Sequence, residues 1–297
     1  MITGRFAPSP SGRMHLGNLF TALLAWLSVR SQQGRMLLRI EDLDPQRSKQ
    51  EYIDALKEDL EWLGLDWDAE MPLQSTRSAI YAEYFSKLPV YPCYCSRNEL
   101  HSASAPHASD GSTLYAGTCR SLTEEQRAKQ HRKPAWRVIV PNREIVFSDG
   151  LCGSQRENLA TDCGDFILCR SDGVYAYQLA VVCDDALGGV TEVVRGRDLL
   201  SSSPRQIWLY EMLGFAVPKF YHVPLLLAPD GKRLSKREKS LDMSQLRLRF
   251  SAEELIGRIA FCAGLLPHVE SVSAAELVSV FSWDKIKADN VIISPDF

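Results

Sequence analysis

The sequence predicts an α/β fold built on a parallel sheet. A short apolar strand pattern covers residues 2–6, a helix pattern covers 16–33, and a second apolar strand pattern covers 35–40. A further helix pattern follows at 48–63, and a glycine ends each of the two helix patterns. Strand, helix, strand and helix in this order are typical of βαβ units, whose strands are parallel.

Changes in pattern divide the chain into two α/β halves, an insertion between them and a helical C-terminal region. The predicted bounds are 1–87 and 165–240 for the halves, 88–164 for the insertion and 241–297 for the last region. In the insertion cysteines cluster, and short strand patterns appear at 136–140 and 144–147. In the second half we expect strands at 177–182 and 221–227 and a helix at 203–213.

Composition and charge limit the possible partners and compartments. The 297 residues are 45% hydrophobic and 24% charged, as expected of a globular chain with a buried core. The net charge of −3 gives no general attraction for phosphate, so an RNA-binding surface would be a local basic patch. The N-terminus lacks a signal-peptide pattern, no apolar run is long enough for a bilayer, and the eight cysteines suit a reducing compartment. We expect a cytoplasmic monomer that makes no membrane contact.

A candidate anion site lies near the N-terminus. Residues 5–12 read RFAPSPSG, and His15, Gly17 and Asn18 follow at the predicted start of a helix. A strand end, a stiff turn and a helix N-terminus together make a site whose backbone N–H groups bind phosphate. There His15 would hydrogen-bond the phosphates of ATP, and Gly17 would let the adenine approach the backbone closely. The alternative is a tight turn that carries a surface histidine.

A basic loop near the end of the second half is the matching element. Residues 232–237 read KRLSKR and follow the turn Pro229-Asp230-Gly231. Such a loop beside a phosphate site can neutralise the charge that develops on phosphorus during adenylate formation. Most charge runs are simply solvated, but these two elements occur in the expected order at opposite ends of the α/β unit.

Together the two elements resemble the HIGH and KMSKS signatures of class I aminoacyl-tRNA synthetases. The runs RFAPSPSG, RIEDLDPQR, RGRDL and SPRQ are similar to the glutamyl branch in particular, and the similarity extends from Gly4 to Arg237. The resemblance implies an α/β catalytic domain with a Rossmann-like doubly wound parallel sheet. It also implies ATP with Mg²⁺, and L-glutamate, as the ligands of that domain.

The resemblance assigns catalysis to one residue of each signature. His15 and Lys236 would stabilise the transition state, and together with Gly17 and Asn18 they would bind ATP. The basic loop departs from the signature at Arg233, where the pattern has a lysine. Activity is expected because Lys236 is retained, and the effect of Arg233 on rate or ATP affinity is left open.

Charge complementarity suggests how glutamate would be bound. Two arginines suit its two carboxylates, because a guanidinium binds a carboxylate through two hydrogen bonds. Arg5 and Arg195 fit that task at positions that match the family. By the same resemblance Glu41 would take the ammonium group and Tyr177 would line the pocket. The resemblance adds the loop residues Phe6, Ala7, Pro8 and Ser9. The alternative for each residue is an ordinary ion pair or a core position. Asp44, just before a proline, is instead predicted to cap a helix.

The cysteines of the insertion offer a candidate metal site. Zinc takes four tetrahedral ligands, mostly sulfur or nitrogen, and three thiols lie close in sequence here. Free buried cysteines are the alternative. The resemblance favours one structural Zn²⁺ per chain, because similar enzymes carry zinc on a C-x-C…Y-x-x-x-C pattern. The ligands so implied are Cys93, Cys95, Tyr115 and Cys119. The fourth ligand stays open between Tyr115 and the nearby His101 and His107, since imidazole binds zinc better than phenol.

The number of residues after the basic loop helps to indicate which branch of the family the sequence resembles. Only 60 residues follow Arg237, too few for the large anticodon-binding region of a glutamyl-tRNA synthetase. With the C-x-C insertion, this resembles the shortened paralogues of the glutamyl-queuosine type. The resemblance implies glutamate activation without tRNA and transfer to queuosine at the wobble position, with the anticodon stem-loop of tRNA(Asp) as partner. The alternatives are a truncated enzyme that charges tRNA(Glu) and a non-catalytic RNA-binding paralogue.

Overall fold

The first α/β half contains three parallel strands. In this computed structural model the described residues are 1–96, 114–232, 234 and 241–293. The elements of the first half are β1 (Thr3–Phe6), α1 (Leu16–Ser31), β2 (Arg35–Leu38), α2 (Gln50–Trp62) and β3 (Ala69–Glu70). Strand β2 lies between β1 and β3 and pairs with both in parallel, with Arg5 opposite Leu37. The predicted alternation of strands and helices is observed, with shorter elements than the patterns suggested.

Helix α1 lies at the centre of the larger hydrophobic core. Every residue from Ala22 to Val29 is buried, and a helix that is covered on all sides belongs in a core. Gly4 allows this close packing on β1, because a Cβ at that position would clash with the Val29 Cγ2 atom. Within the described residues, no helix combines the length and the apolar character needed to cross a membrane.

Helix α2 begins later than the sequence suggested, and the prediction that Asp44 caps it is wrong. The cap position is Lys49, whose side chain makes no capping hydrogen bond. Asp44 instead closes the preceding turn. Its Oδ1 accepts a hydrogen bond from the Gln46 N–H at 3.2 Å, and its carbonyl accepts from the N–H groups of Arg47 and Ser48. An aspartate before a proline favours a local turn as readily as a helix start, and here the turn forms.

The inserted region is antiparallel. After α3 (Ser78–Phe85) come β4 (Val90–Cys93), α4 (Glu124–Ala128), β5 (Ala135–Val138), β6 (Glu144–Asp149), β7 (Gly153–Asn158) and β8 (Ile167–Cys169). Strand β5 lies between β4 and β8, and β6 and β7 form a hairpin. The two strand patterns in the insertion correspond to β5 and β6.

The second half returns to parallel pairing. Its elements are α5 (Tyr177–Leu187), β9 (Glu192–Gly196), α6 (Ser203–Met212), β10 (Lys219–Val223) and β11 (Leu226–Leu227). The helix predicted at 203–213 corresponds to α6. The strand predicted at 177–182 is wrong, because this segment begins α5. A short apolar run does not by its periodicity distinguish a buried strand from a buried helix. The strand predicted at 221–227 is divided into β10 and β11 by Pro224, which has no N–H for a ladder.

The two halves meet between β1 and β9. Strand β9 pairs with β10 in parallel, and the Thr191 N–H, just before β9, donates to the Thr3 carbonyl at 2.9 Å. Strands β1 to β3 form one parallel group and β9 and β10 form another, and the two groups touch at this point. One continuous doubly wound sheet therefore stays a prediction.

The C-terminal region packs back on the core of the first half. It contains α7 (Met243–Arg249), α8 (Ala252–Ala263), α9 (Ala274–Leu277) and β12 (Val291–Ile292), and β12 pairs with β11 in parallel. Trp283 stacks on Tyr221 with ring centroids 4.3 Å apart. Asp242 forms an isolated antiparallel bridge with His15, so this region begins beside the N-terminal end of α1.

Candidate active site

One cavity of about 490 Å³ lies where β1 and β9 end. Ligands of open α/β sheets bind outside the carboxyl ends of the strands, and both parallel groups present such ends here. Every described residue predicted for ATP or glutamate lines this cavity: Arg5, Phe6, Ala7, Pro8, Ser9, His15, Gly17, Asn18, Glu41, Tyr177 and Arg195. Lys236 and Arg233 lie outside the described residues, whereas Leu234 between them lines the cavity.

His15 forms the N-terminal cap of α1. Its Nδ1 accepts a hydrogen bond from the Gly17 N–H at 3.1 Å, and the Asn18 side chain accepts from the His15 N–H at 3.2 Å. This reciprocal arrangement is a capping box, in which the two side chains satisfy backbone donors of the first turn. Because Nδ1 accepts, the proton of the neutral imidazole is on Nε2. The cavity wall therefore includes a helix N-terminus, which favours anions.

A buried ion-pair network reaches the cavity through Arg5 and Glu41. Asp185 pairs with Arg5, whose Nε lies 3.3 Å from its carboxylate, and also with Arg39. Arg39 in turn pairs with Glu41 at 3.0 Å. Burial raises the pKa of Glu41 although Arg39 opposes this, and the two arginines hold the pKa of Asp185 below its usual range despite burial. Charges buried in this way remain ionised only through such pairing.

Helix α5 places three site residues on one face. Tyr177 is its first residue, and Asp184 and Asp185 follow two turns later on the same side. Asp184 accepts hydrogen bonds from Gln74 at 2.8 Å and Tyr81 at 2.9 Å, which fix α5 against α3 and the turn before it. Burial raises the pKa of Tyr177, so its phenol stays protonated beside the cavity.

Arg195 is held entirely by uncharged partners. Its Nε donates to His222 Nε2 at 2.9 Å, its Nη1 to Gln206 Oε1 at 2.7 Å and its Nη2 to Ser203 Oγ at 2.8 Å. The side chain is buried, and in the described part of the chain no carboxylate pairs with it. A guanidinium has five N–H donors, so these bonds leave two of them for a ligand. Burial lowers the pKa of Arg195, as does the nearby charge of Arg5.

Behind Arg195 lies a second buried pair. His222 Nδ1 is 2.6 Å from Asp149 Oδ2, and both side chains are fully buried. Burial and the charge of Arg195 lower the pKa of His222, although Asp149 opposes them. Burial raises the pKa of Asp149, but hydrogen bonds from His222 and the Cys152 N–H outweigh this and lower it to about 2.

The predicted metal ligands form a compact thiol cluster in the insertion. The Sγ atoms of Cys93, Cys95 and Cys119 lie within 4.8 Å of one another, with 3.6 Å between Cys95 and Cys119. Sulfurs around tetrahedral zinc lie about 3.8 Å apart, given Zn–S bonds of about 2.3 Å, so these residues fit one ion. The Tyr115 hydroxyl is 3.5 Å from Cys93 Sγ and accepts from the Cys119 N–H. His101 and His107 lie outside the described residues.

Several residues of the site were given no role in the sequence analysis, although Arg39, Ser203 and Gln206 stand in the runs RIEDLDPQR and SPRQ. They are Arg39, Asp149, Asp184, Asp185, Ser203, Gln206 and His222. Arg39 stands two residues before Glu41, and consecutive aspartates in an apolar run at 184–185 were a signal of buried charge. For Asp149 and His222 the sequence offers no signal, because 73 residues separate them.

Comparison with known proteins agrees with this geometry. Residues 1–255 match the family model described as tRNA synthetases class I (E and Q), catalytic domain. A glutamyl-Q tRNA(Asp) synthetase from Symbiobacterium thermophilum is 47% identical, with 99% of this chain and 96% of that protein covered. One from Nitratidesulfovibrio vulgaris is also 47% identical, over 95% of this chain and 92% of that protein.

The solved structures give the same result for the fold. The glutamate-tRNA synthetase of Elizabethkingia anophelis superimposes with a TM-score of 0.84 at 28% identity, with 99% of this chain and 68% of that chain covered. The fold is thus that of a class I tRNA synthetase catalytic domain. From the family model and the relatives together, the chain is an enzyme of the ligase class and belongs to the glutamyl-Q tRNA(Asp) synthetases.

Proposed function

We propose that the chain activates L-glutamate with ATP without the help of tRNA and transfers the glutamyl group to queuosine in the anticodon loop of tRNA(Asp). The observation that carries the first step is the cavity itself. A helix N-terminus suited to phosphate, at His15, faces the same space as two buried arginines, Arg5 and Arg195. The support for the second step is the name shared by the relatives.

Charge balance favours glutamate over neutral amino acids. Arg5, Arg39, Glu41 and Asp185 form a network with two positive and two negative groups. Arg195 adds one positive charge that its uncharged partners do not neutralise. Glutamate carries one net negative charge and so completes the site, whereas glutamine would leave a buried guanidinium uncompensated.

In the first step the α-carboxylate of glutamate attacks the α-phosphorus of ATP in line and expels diphosphate. Arg195 and Arg5 would hold the carboxylates, and Glu41 would hold the ammonium group, so that the attacking oxygen is oriented. His15, with its Nε2–H, would donate to the phosphate as charge develops there. Mg²⁺ bound with ATP would neutralise the phosphate oxygens. Lys236 would do the same from the basic loop.

In the second step a hydroxyl of the cyclopentene-diol of queuosine attacks the carbonyl carbon of the mixed anhydride. The C–O bond to the phosphate breaks and AMP leaves with the electron pair. The proton of the attacking hydroxyl passes to a phosphate oxygen of the adenylate, which leaves with AMP.

We also propose that Cys93, Cys95 and Cys119 hold one structural zinc ion. Cys93 and Cys119 form a small buried cluster with Tyr91 and Tyr115, apart from the two main cores, and the half-buried Cys95 packs against it. A core of this size contributes little stability alone, and a bound ion would tie β4 to the segment around Cys119. The fourth ligand is Tyr115, His101 or His107.

The experiment is ATP–diphosphate exchange with purified protein and no RNA. We expect exchange that depends on glutamate and is absent with glutamine. Labelled glutamate is then offered to queuosine-bearing tRNA(Asp), to the same tRNA lacking queuosine, and to tRNA(Glu). Label on the first alone supports the proposal, and label on tRNA(Glu) would show instead a shortened charging enzyme. No exchange with any amino acid would leave a binding protein.

A further inference from the structure

A buried chain of hydrogen bonds runs from the inserted hairpin to the cavity. Asp149, at the end of β6, contacts His222 on β10 at 2.6 Å, and His222 contacts Arg195 on β9 at 2.9 Å. Only Arg195 lines the cavity; the other two residues lie behind it. None of the motifs in the sequence includes Asp149 or His222.

The contacts fix the tautomer of His222. An arginine Nε–H can only donate, so His222 Nε2 must present a lone pair to Arg195. The proton of the neutral ring therefore lies on Nδ1, where it donates to Asp149 Oδ2. The opposite tautomer, or the protonated ring, would direct an N–H at the Nε–H of Arg195.

The backbone around Asp149 determines which of the two terminal positions of its side chain must be a hydrogen-bond acceptor. Its Oδ1 accepts from three backbone N–H groups, those of Leu151 at 3.0 Å, Cys152 at 2.8 Å and His222 at 3.3 Å. These donors require an oxygen at that position. Consequently only the Oδ2 position is available to His222, and an oxygen there selects the ring proton on Nδ1.

We propose that Asp149 and His222 are positioning residues, which hold His222 as an acceptor and thereby orient Arg195 for the side-chain or α-carboxylate of the substrate. This inference rests on the proposed binding of glutamate by Arg195. It links the inserted hairpin to amino-acid affinity through three side chains.

The surroundings of His222 give the proposal a pH dependence. Asp149 faces the ring from β6, and Arg195 faces it from β9. Ser203 on α6 places its Oγ 3.2 Å from Nε2 of His222. Phe220, on β10 like His222, stacks on the ring. Protonation would place a second cation beside Arg195 and remove its acceptor. The KM for glutamate should therefore rise as the pH falls below the pKa of His222, which burial holds below its usual range.

The decisive variant is Asp149→Asn. The backbone donors compel the amide to place its oxygen at Oδ1, so its NH₂ group faces His222 and the ring proton moves to Nε2. The KM for glutamate in ATP–diphosphate exchange should rise about tenfold, as expected when a charged group loses a hydrogen bond. The KM for ATP and the rate at saturating glutamate should stay near the wild-type values, because the chain does not face the phosphates.

His222→Gln supplies the test of coupling. A glutamine Oε1 can accept from Arg195 as Nε2 does, and it neither titrates nor changes tautomer. Its KM for glutamate should be less raised than in His222→Asn, whose shorter side chain does not reach Arg195, and should be flat between about pH 5.5 and 8. In the His222→Gln background, Asp149→Asn should have no further effect on this KM.

Asp165→Asn is the matched control. Asp165 is also buried, and its two oxygens accept from the Val140 N–H and the Tyr91 hydroxyl, away from Arg195. It should lose stability without a change in the KM for glutamate. Equal effects of the two substitutions on KM would reduce Asp149 to a structural role and overturn the proposal.

Nitrogen NMR of the histidine rings reads the tautomer without any assay, with the His222 signals identified by their loss in His222→Gln. Wild type should show the proton on Nδ1 and Asp149→Asn on Nε2. A wild-type ring protonated on Nε2 overturns the positioning role whatever the kinetics show. Absence of glutamate-dependent exchange in wild type, with the expected tautomer, overturns the proposed function instead.

Discussion

Asp185 binds Arg5 through an ion pair in which the Arg5 Nε lies 3.3 Å from the carboxylate, and the same carboxylate pairs with Arg39. Arg39 carries the contact on to Glu41. One buried anion on α5 therefore fixes both an arginine proposed for a carboxylate of glutamate and the carboxylate proposed for its ammonium group. Arg5 and Glu41, the two groups proposed to bind opposite charges of glutamate, therefore both depend on Asp185.

Asp185→Asn should weaken the fold and the site together. Removing the charge leaves Arg5 and Arg39 buried with Glu41 as their nearest anion, at a cost of about 3 kcal/mol in the free energy of unfolding. The KM for glutamate should rise as well, since both ends of the grip lose their support. Urea unfolding and exchange kinetics measure the two effects.

Asp59→Asn is the comparison for this change. Asp59 is buried and pairs with Arg247 at 3.1 Å, but it does not line the cavity. It should lose stability and keep the wild-type KM for glutamate. Wild-type affinity in Asp185→Asn would mean that the network does not support the amino-acid site.

Arg195→Lys should show that the shape of the guanidinium matters as well as its charge. Lysine cannot reach His222, Gln206 and Ser203 at once while presenting two further donors to a carboxylate. We expect the KM for glutamate to rise by about tenfold to a hundredfold, the range of one charge-assisted hydrogen bond. Arg143→Lys, on the surface beside Glu211, should leave kinetics unchanged. An unaltered KM in Arg195→Lys would remove Arg195 from the substrate contacts.

Metal content tests the thiol cluster. Wild-type protein purified in reducing buffer should contain about one zinc per chain. Cys119→Ser should lose most of it and unfold at a lower temperature, whereas Cys169→Ser, a buried cysteine outside the cluster, should retain the ion. Unchanged zinc in Cys119→Ser would exclude Cys119 as a ligand. Separate His101→Ala, His107→Ala and Tyr115→Phe variants would then identify the fourth ligand.

Acid unfolding tests the environment of Asp149. Its pKa is lowered on folding from an ordinary 3.8 to about 2. A carboxyl group whose pKa is lower in the folded chain than in the unfolded chain stabilises the fold fully at pH values above the unfolded-state pKa. This contribution disappears as the pH falls from 3.8 towards 2. The contribution at neutral pH is about 2 kcal/mol. The difference in unfolding free energy between wild type and Asp149→Asn should accordingly shrink between pH 7 and pH 2.5. A constant difference would mean that the two states titrate Asp149 alike.

The sequence was informative where the constraint is local. The βαβ start was predictable because short apolar strands and helix-ending glycines stand next to each other in the chain. The prediction for residues 177–182 was wrong because this run, in which all residues but Gln178 are apolar or aromatic, fits either a strand or a helix. Tertiary contacts favour the helix, such as the hydrogen bond from Tyr81 on α3 to Asp184. The local sequence pattern contains no information about such tertiary contacts.

The residues of the site also differ in whether a local sequence pattern identifies them. Arg5, His15 and Glu41 lie in motifs that a resemblance can identify, and the structure brings them to one cavity with Tyr177 and Arg195. Several of the residues that hold them, such as Asp185 for Arg5 and His222 for Arg195, come from distant segments. Neither their pairing nor their burial is visible in one sequence. The resemblance therefore identified residues that line the cavity, and it did not identify Asp149, Asp185 or His222 behind them.

The three uncharged hydrogen-bond partners of Arg195 matter for attempts to change the amino acid that the enzyme accepts. Replacing the arginine by an apolar residue would leave three buried acceptors, on His222, Gln206 and Ser203, without the donor that they accept from. If Arg195 binds a carboxylate of glutamate as proposed, selectivity depends on four side chains together. A redesigned pocket must then replace all four, or it starts from a destabilised protein.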